Sequence, residues 1–306
     1  MKARCRCVLR TPSTMANRKP PTTHGLAVVD KPSGVTSHDV VAMLRRKFGE
    51  RQVGHAGTLD PDATGVLLVG VGKATRLLRF LTDLGKTYTA EIVFGSTTDS
   101  LDSTGVVTGT FDMDGLAADT VRAMVVQHLT GAIYQIPPMV SAVKIDGKRL
   151  HELAREGIEV ERAPRPVTVY RFDIEPTADP MVYRAEVHCS KGTYIRTLAD
   201  DLGRLCGGGA HLRNLRRTAV GSFTVAESAD PDDVLLLPLP LAVRDYPQVT
   251  VDAAAAALVG NGRVLDRARA GMHGDGPWAV LGPDGVLLAM YESFGADAAK
   301  PAVVVA

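Results

Sequence analysis

The chain has 306 residues, with 35 Lys and Arg against 34 Asp and Glu, so its formal net charge is +1. A balance this even argues against a protein that binds nucleic acid through bulk positive charge. Hydrophobic residues make up 45% of the chain and charged residues 23%, which is typical of a globular protein rather than a disordered one. The length predicts one large domain, or a large domain with a small one.

The four cysteines are Cys5, Cys7, Cys189 and Cys206, and no two of them form a C-x-x-C pair. Neither a zinc site nor a disulfide framework is indicated, so we expect a cytoplasmic protein without metal. The sequence contains no run of about 18 apolar residues, so no membrane span is predicted. Residues 1–23 are basic, lack the apolar core of a secretory signal and are predicted to be a disordered extension.

Strands and helices are predicted to mix along the next 200 or so residues. An apolar run at 25–30 predicts a buried strand, and Thr36 or Ser37 is suited to cap the helix that follows. Periodicity predicts further strands at 66–71, 88–94, 167–174 and 183–189, and helices at 74–81 and 118–129. Because no regular βαβ order emerges, we expect an α+β fold with a mixed, largely antiparallel sheet and flanking helices.

Two segments stand apart from this pattern. Residues 137–166 contain little apolar sequence and are predicted to be an exposed insertion, partly helical at 150–155. A Pro-rich stretch between 230 and 247 predicts a domain boundary. The tail, 246–306, is acidic overall and contains a predicted hairpin around 283–285. We therefore expect a main domain over 24–245 and a small β-rich domain over 246–306.

The positive charge is concentrated locally. Windows 42–79 and 188–217 each carry a net charge of +4, and 141–171 carries +2, whereas residues from 251 onward carry −2. A charge run is usually a solvated face. All three positive windows, however, coincide with glycine-rich or long irregular segments. This coincidence favours a polyanionic substrate.

The densest cluster of chemically suggestive residues is the run from Gly54 to Gly65, with sequence GHAGTLDPDATG. Its glycines and proline impose an irregular backbone, which is one way in which a scaffold presents a reactive side chain. Asp60 is the candidate, because Pro61 restricts its backbone and a carboxylate can attack a sugar carbon. Asp62 could be the acid partner in a glycosidase pair. Capping of the loop is the ordinary alternative for both carboxylates.

Three further segments carry candidate residues. Arg196 follows a Lys-Gly turn and could pair with a buried carboxylate, although a surface arginine is the commoner case. Tyr88 begins a strand and could stack on a base, although a core tyrosine is commoner. The segment GAHLRNLRR, at 209–217, places three arginines within five residues, which suits phosphate binding. These are Arg213, Arg216 and Arg217.

Taken together, these motifs closely resemble the TruB family of tRNA pseudouridine synthases. The similarity rests on DKPSGVTS (30–37), GTLDPDATG (57–65), KTY (86–88), PPMVSAVKIDGKRL (137–150), GTYIRTLADDLG (192–203) and GAHLRNLRRT (209–218). The motifs are collinear over about 24–225 and are specific in combination. The resemblance implies a pseudouridine synthase fold with a PUA-like C-terminal domain. It also implies isomerisation of uridine 55 in the TΨC arm of tRNA, without cofactor or metal.

The resemblance also assigns roles to individual residues. It places the catalytic aspartate at Asp60, its arginine partner at Arg196 and the tyrosine that stacks on the target base at Tyr88. The substrate-binding residues that we expect besides Tyr88 are Lys31, His55, Tyr194, Arg213, Leu215, Arg216 and Arg217. The insertion at 137–166 resembles the family's thumb-like loop that closes over RNA. We expect a monomer whose partner is tRNA, with the C-terminal domain contacting the acceptor end.

Three alternatives remain open from the sequence. A glycosidase using Asp60 and Asp62 would release free uracil, whereas an isomerase would not. A non-catalytic RNA-binding module would bind without converting its RNA. A guide-RNA-dependent relative is disfavoured by the lack of long Lys-rich tails. The sequence does not separate attack by Asp60 on ribose C1′ from removal of the C2′ proton.

Overall fold

The computed structural model describes residues 22–141, 143–145 and 147–305. The predicted N-terminal extension, 1–23, therefore lies outside the described residues except for its last two positions, as do Cys5 and Cys7. The first half of the chain forms strands and the helices that pack on them: β1 (Gly25–Lys31), α1 (Ser37–Phe48), β2 (Val53–Ala56), β3 (Thr64–Val71), a 3₁₀ helix (Gly72–Leu77), α2 (Leu78–Asp83), β4 (Lys86–Phe94), β5 (Ser96–Thr98), β6 (Val107–Thr110), α3 (Ala118–His128) and β7 (Gly131–Gln135).

The second half completes the main sheet and adds a smaller one. The elements up to the boundary are β8 (Lys144–Ile145), β9 (Lys148–Arg149), α4 (Leu150–Arg155), β10 (Arg165–Pro176), β11 (Val182–Cys189), α5 (Ile195–Leu205), β12 (Ala210–Val220), β13 (Phe223–Thr224), a 3₁₀ helix (Val225–Glu227), β14 (Leu236–Leu237) and α6 (Leu239–Ala242). The tail forms β15 (Gln248–Thr250), α7 (Ala253–Gly260), β16 (Leu265–Asp266), β17 (Trp278–Leu281), β18 (Leu287–Phe294) and β19 (Ala298–Val304).

The main sheet has ten strands, eight of them in the order β14-β1-β3-β12-β4-β11-β10-β7, with β2 paired to β3 and β13 paired to β12. Every pairing in it is antiparallel except that of β3 with β12. The predicted α+β fold with a mixed, largely antiparallel sheet is confirmed.

The parallel contact between β3 and β12 depends on a glycine. Gly65 has φ +102°, and a Cβ placed on it would lie 2.1 Å from the backbone oxygen of Arg217. Only glycine tolerates both this backbone conformation and this close approach. The glycine thereby lets the strand that carries Arg217 lie directly beside the end of the loop at 54–65.

Helix α1 begins where the sequence predicts. Thr36 is the N-cap: its hydroxyl accepts from the Asp39 amide at 3.0 Å, and the Asp39 carboxylate accepts from the Thr36 amide at 2.9 Å. This reciprocal capping satisfies two amides at the helix start. The other cap candidate, Ser37, instead points into the fold and bonds to Leu59, beside Asp60. The start of α1 therefore also supports the loop that carries Asp60.

The core is divided between the two halves of the sheet. On one half, α3 and α5 bury the apolar side chains of β4, β10 and β11, including Ile92, Phe172 and Val187. On the other half, α1 packs Val40 and Leu44 against β1 and β3. The loop at 54–65 lies between these two clusters, so both halves of the core hold it in place.

The C-terminal sheet, in the order β15-β17-β18-β19-β16, has its own core around Trp278 and Tyr291. A second apolar cluster joins it to the main domain, since Leu281 and Met290 pack with Phe80 and Leu26. Arg76 also donates to the Val304 oxygen at 2.9 Å, and Arg79 pairs with Glu292. The tail is thus β-rich, as expected, and is packed against the main domain rather than merely tethered to it.

Most predicted elements are present, including the short helix α4 in the 137–166 insertion and the hairpin between β17 and β18. The helix predicted at 74–81 is divided into a 3₁₀ turn followed by α2. Several strands are not predicted from the sequence, among them β2, β7 and β12. In β12 the alternation is interrupted by bulges and by Asn214, which has φ +55°, so the period of two that marks a strand is lost.

Candidate active site

A cavity of about 270 Å³ opens between the 57–60 loop, β4, the start of α5 and β12. Six of the residues singled out from the sequence line it: Asp60, Tyr88, Tyr194, Arg196, Leu215 and Arg217. The volume is below that of common drug-sized pockets and suits a single nucleobase with part of its sugar. The fold therefore brings together residues that are up to 157 positions apart in the sequence.

The loop that carries Asp60 is anchored on both sides. The buried Ser37 hydroxyl accepts from the Leu59 amide at 2.9 Å and donates to the Leu59 oxygen at 3.0 Å. Lys31 donates to the oxygen of Pro61 at 2.8 Å, and Arg217 donates to the oxygen of Gly57 at 3.0 Å. These contacts fix the backbone immediately before and after Asp60, although the segment has no regular structure of its own.

Asp60 forms an ion pair with Arg196, whose Nε lies 3.1 Å from the Asp60 Oδ2. The arginine is buried, whereas the side chain of Asp60 is 42% exposed and faces the cavity. Nη1 of Arg196 also lies 3.5 Å from Asp102 Oδ2 and donates to the Ser100 oxygen at 2.9 Å. Its Nη2 donates to the Val140 oxygen at 2.8 Å. The guanidinium is thus fixed by four oxygen acceptors from three segments of the chain.

Asp102 is itself held in place. Its Oδ1 accepts from the Ser100 hydroxyl at 2.7 Å and from the Thr104 hydroxyl at 2.6 Å. The loop reaches this position through Leu101, which has φ +65°, an uncommon conformation for a residue other than glycine. Asp102 therefore acts as an ordered second carboxylate behind the arginine and is shielded from the cavity.

Burial raises the pKa of Asp60 above its ordinary value, and the charge of Asp102 adds to this rise. The cations Arg196 and Lys31 oppose it. The proton balance of Asp60 is therefore set by competition between the desolvation of its carboxylate and the attraction of the neighbouring guanidinium. Such tuned carboxyl groups are typical of reactive sites.

The opposite end of the cavity contains two buried cations beside Tyr88. Lys86 is two residues before Tyr88 on β4, and Arg217 is paired with Tyr88 on β12. Nζ of Lys86 donates to the oxygens of Thr82 and Leu84 at 2.5 and 2.6 Å. Burial is the main cause that lowers the Lys86 pKa to about 8, and the charge of Arg217 contributes. Burial also raises the pKa of Tyr88, which hydrogen-bonds to Arg217. Among the described residues, neither cation forms an ion pair with a carboxylate.

Tyr194 is held by its backbone rather than by its ring. The side-chain amide of the buried Gln135 accepts from the Tyr194 N–H at 3.0 Å and donates to the Tyr194 oxygen at 3.2 Å. Tyr194 is the N-cap residue of α5, so Arg196 is two residues farther along. Gln135 thus fixes the start of the helix that presents the guanidinium.

Three models of one family match the chain. The N-terminal domain of the TruB family of pseudouridylate synthases matches residues 45–195. The C-terminal domain of tRNA pseudouridylate synthase B matches 196–237, and the C-terminal model of tRNA pseudouridine synthase II matches 246–306. The chain belongs to the TruB family. The last of these matches begins at the residue where the sequence predicts the small second domain.

Individual relatives agree with this assignment. The tRNA pseudouridine synthase B of Symbiobacterium thermophilum is 49% identical over 76% of this chain and 80% of its own length. The protein of the same name from Rhodococcus jostii is 44% identical over 92% of this chain and 93% of its own length. The chain is thus a TruB-family isomerase.

Solved structures give the same fold. In a Cbf5-Nop10-Gar1 complex, a chain 25% identical superposes with a TM-score of 0.69, covering 92% of this chain and 85% of the other. An archaeal box H/ACA Nop10-Cbf5 complex contains a chain 23% identical with a TM-score of 0.67, covering 92% and 86%. The TruB fold assigned from the sequence is therefore present along nearly the whole chain.

Four of the residues expected to bind substrate do not line the cavity of this TruB protein, namely Lys31, His55, Arg213 and Arg216. Lys31 is fully buried, and its ammonium group donates to the oxygens of Pro32, Val35 and Pro61. Its three donors hold the loop, and its contact with RNA stays a prediction. His55 lies on β2, edge-on to His38 with ring centroids 5.3 Å apart. Burial lowers the His55 pKa to about 4, which makes its imidazole neutral at pH 7.

The three arginines of β12 have protein partners. Arg216 forms a two-pronged pair with Asp30 at 3.0 and 2.7 Å, and Nε of Arg213 contacts Glu91 at 2.8 Å. Arg217 is buried and donates from Nε to the Val66 oxygen at 2.7 Å. If all three arginines hold phosphates, as the sequence predicts, contacts to phosphate must replace these contacts to the protein. Of the three, only Arg217 lines the cavity.

Lys86, Asp102, Ser37 and Gln135 were not among the residues predicted to form the site. Lys86 belongs to a motif that carries the family resemblance, and its place two residues before Tyr88 put it on the same face of the strand. Asp102 stands in a Ser/Thr/Gly-rich stretch that is typical of a surface turn, and no local signal marks it. Gln135 acts through side-chain contacts with a residue 59 positions away, which no local pattern reveals.

Two absences concern only the part of the chain that the structure describes. No group of His, Cys, Asp or Glu residues within it could hold a metal ion. No helix within the same residues is both long and apolar enough to cross a membrane.

Proposed function

We propose that this protein converts uridine 55 in the TΨC arm of tRNA to pseudouridine, with Asp60 as the acting carboxylate. The observation that carries the proposal is the Asp60 carboxylate at the cavity, 3.1 Å from the buried Arg196. The names of the relatives, each a tRNA pseudouridine synthase B, support tRNA as the substrate. The reaction is an isomerisation, so it requires no co-reactant.

The cavity requires that the uridine leave its stack. Asp60 and the ring of Tyr88, 9% exposed, line a space that a base within a folded arm would not reach. The target nucleotide is therefore flipped out, at a cost of a few kcal/mol that stacking and phosphate contacts offset. Tyr88 and Leu215 would contact the two sides of the flipped base. The insertion at 137–166 would close over the RNA, since Ser141 already lines the cavity.

Asp60 acts in its ionised form, either by attacking ribose C1′ or by removing the C2′ proton. The N1–C1′ bond breaks and the base turns within the cavity. C5 then bonds to C1′, either as the Asp60–C1′ ester bond breaks or, on the second route, as Asp60 returns the proton to C2′. C5 finally loses its proton and N1 gains one. Arg196 favours the ionised carboxylate against the effect of burial. The same side chain fixes the carboxylate direction through a charge-assisted hydrogen bond.

A glycosidase that uses Asp60 and Asp62 fits this geometry less well. Asp62 is exposed and does not line the cavity. The second carboxylate near Asp60 is Asp102, whose oxygens are engaged by Arg196, Ser100 and Thr104. A direct glycosidase would need an acid able to reach the leaving base.

The test is conversion by purified protein of a TΨC stem-loop transcript, with nucleosides separated after digestion. We expect pseudouridine without free uracil, and no conversion by Asp60→Asn at unchanged RNA affinity. Asp62→Asn is the matched control and should convert the transcript normally. Turnover by Asp60→Asn, or release of uracil by the unaltered protein, would contradict the proposal. Binding without conversion would favour the non-catalytic RNA-binding alternative.

The C-terminal sheet would contact the acceptor end of tRNA. Deleting residues 246–306 is not a clean test, because Leu281 and Met290 complete a core shared with the main domain. Charge reversal at the exposed Arg263 and Arg269 leaves that core intact. We expect the double variant to bind full-length tRNA more weakly but the isolated stem-loop equally well. Equal affinity of both proteins for full-length tRNA would exclude this contact.

A further inference from the structure

The cavity is lined by more cations than carboxylates, and the proposed function does not use all of these cations. Four of its lining residues are cations, namely Lys86, Lys191, Arg196 and Arg217, and one is a carboxylate, Asp60. Arg196 is paired with Asp60, and Lys191 is paired with Asp83 at 2.6 Å. Two cations, Lys86 and Arg217, therefore remain without a carboxylate among the described residues. Both are buried, with 5% and 1% of their surface exposed.

These two cations lie side by side under Gly57. A Cβ built on Gly57 would be 3.5 Å from Nη1 of Arg217 and 3.8 Å from Cε of Lys86. The glycine has φ +81°, so its backbone conformation and its missing side chain both leave the pair uncovered. Positive charges that approach each other inside a protein are unfavourable unless an anion joins them.

The protein contacts of the two side chains do not use all of their donors. An ammonium has three N–H donors and a guanidinium has five. The contacts of Lys86 are the oxygens of Thr82 and Leu84. Those of Arg217 are the oxygens of Val66 and Gly57 and the Tyr88 hydroxyl. Backbone contacts thus fix the direction of both cations and leave donors for a ligand in the cavity.

The proposed reaction generates an anion at this place. When the N1–C1′ bond breaks, both of its electrons remain on the base, and uracil becomes a uracilate whether Asp60 attacks C1′ or removes the C2′ proton. A base stacked on Tyr88 lies in the cavity that both cations line. Fixed positive charges that face a developing negative charge in a water-free site strongly lower the activation barrier to bond cleavage.

We infer that Lys86 and Arg217 form an anion site that stabilises the detached uracilate and holds it while it turns from N1 to C5. This inference rests on the proposed function and extends it to the step after bond cleavage. Lys86 and Arg217 then serve the leaving base, while Asp60 and Arg196 serve the sugar. The electron pair received by N1 is returned when C5 bonds to C1′, after which C5 loses its proton and N1 gains one.

The experiment compares two leaving groups in single-turnover reactions on stem-loops that carry uridine or 5-fluorouridine at the target position. Fluorine makes the base more acidic, so its anion needs less help from the protein. Loss of the starting nucleoside after digestion is followed for both. We expect Lys86→Met to slow the loss of uridine by about a hundredfold, in line with the removal of one fixed donor. We expect the same variant to slow the loss of 5-fluorouridine by a clearly smaller factor.

Lys31→Met is the matched control, because Lys31 is also a buried lysine that binds backbone oxygens but lies outside the cavity lining. It should slow both substrates by the same factor. Arg217→Lys, which keeps the charge with fewer donors, should be intermediate. Thermal unfolding establishes that each variant is folded. If Lys86→Met does not fold, Lys86→Gln, which retains a donor for the two carbonyls, is used for the same comparison.

Equal slowing of both substrates by the Lys86 variant would overturn the inference, since the side chain would then act only on structure or binding. That outcome leaves the proposed function intact, because the unaltered protein still forms pseudouridine. Failure of the unaltered protein to convert the uridine stem-loop would instead refute the proposed function itself.

Discussion

The two ends of the cavity handle buried charge in opposite ways. At the sugar end, Arg196 contacts Asp60 and Asp102, so a buried cation is neutralised by carboxylates that belong to the protein. At the base end, Lys86 and Arg217 contact carbonyl and hydroxyl oxygens and no carboxylate among the described residues. The difference indicates that one end is complete before substrate binds, while the other is completed by the substrate.

This contrast follows from what each end must do. A carboxylate that attacks or removes a proton has to be aimed in advance, and a fixed guanidinium does this at little cost in reorganisation. A base that departs with negative charge needs a site whose positive electrostatic potential is not already neutralised by the protein. A resident carboxylate there would cancel the effect. The sugar end should therefore be sensitive to geometry, and the base end to charge.

The largest effect is expected at the sugar end. Arg196→Met removes the cation that opposes the rise of the Asp60 pKa, so that pKa should rise further and the acid limb of the rate profile should move to higher pH. The maximal rate should fall by about a thousandfold. Single-turnover rates from pH 5 to 9 measure both changes. An acid limb that stays in place would show that Asp60 is not the group that titrates.

The base end should be sensitive to alkali. Burial and the charge of Arg217 are the main causes that lower the Lys86 pKa to about 8, and Cys189, Asp83 and Lys191 also act on it. The rate should therefore fall as pH rises through about 8, because the ammonium loses its charge. In Lys86→Arg the guanidinium stays charged, and this decline should be absent.

Folding stability should change in the opposite direction over the same range. Between about pH 8 and the ordinary lysine pKa, the unfolded chain holds a proton on Lys86 that the folded chain does not, so stability should rise with pH. The contribution of Lys86 is the difference in stability between the unaltered protein and Lys86→Met. Thermal unfolding from pH 7.5 to 10 measures it. If the rate declines and the difference in stability between the unaltered protein and Lys86→Met declines with it, the loss of rate would instead indicate alkaline unfolding.

A smaller effect, of opposite sign to that at Arg196, is expected at Asp102. The charge of Asp102 raises the pKa of Asp60, so Asp102→Asn should move the acid limb to lower pH. The rate at the plateau should fall by about tenfold, because Arg196 loses one of its four oxygen partners and is less firmly oriented. Asp99→Asn, three residues earlier in the same loop, is the control for a general loss of charge. A shift to higher pH would contradict the electrostatic argument.

The sequence predicted the sugar end better than the base end for a physical reason. Asp60 and Arg196 lie in short motifs whose glycines and proline mark irregular backbone, so local chemistry identifies them. The roles of Arg213 and Arg216 depend on partners far away in the sequence. Arg216, for example, pairs with Asp30 across 186 positions. A cluster of basic residues predicts positive charge but does not reveal which of the charges the folded chain neutralises.

The fold shows the same division. Elements with a clear period, such as β4 and α1, lie where the sequence predicts them, and the predicted N-terminal capping of α1 is present at Thr36. Strand β12 was missed because its bulges break the alternation that defines a strand. The packing of the C-terminal sheet on the main domain depends on side chains such as Leu281 and Phe80, which no local pattern connects.

The smallest effect tests whether the sugar end depends on geometry alone. Ser37→Ala removes the hydroxyl that binds both backbone groups of Leu59 and leaves them unpaired in a buried position. We expect a loss of about 1–3 kcal/mol in the free energy of unfolding. The rate should fall by about tenfold, because the loop carrying Asp60 is less firmly fixed. No charge changes, so the acid and alkaline limbs should both stay in place. Ser33→Ala, at an exposed position of the preceding turn, should alter neither stability nor rate. A moved acid limb in Ser37→Ala would mean that the hydroxyl influences the proton balance of Asp60 as well as its position.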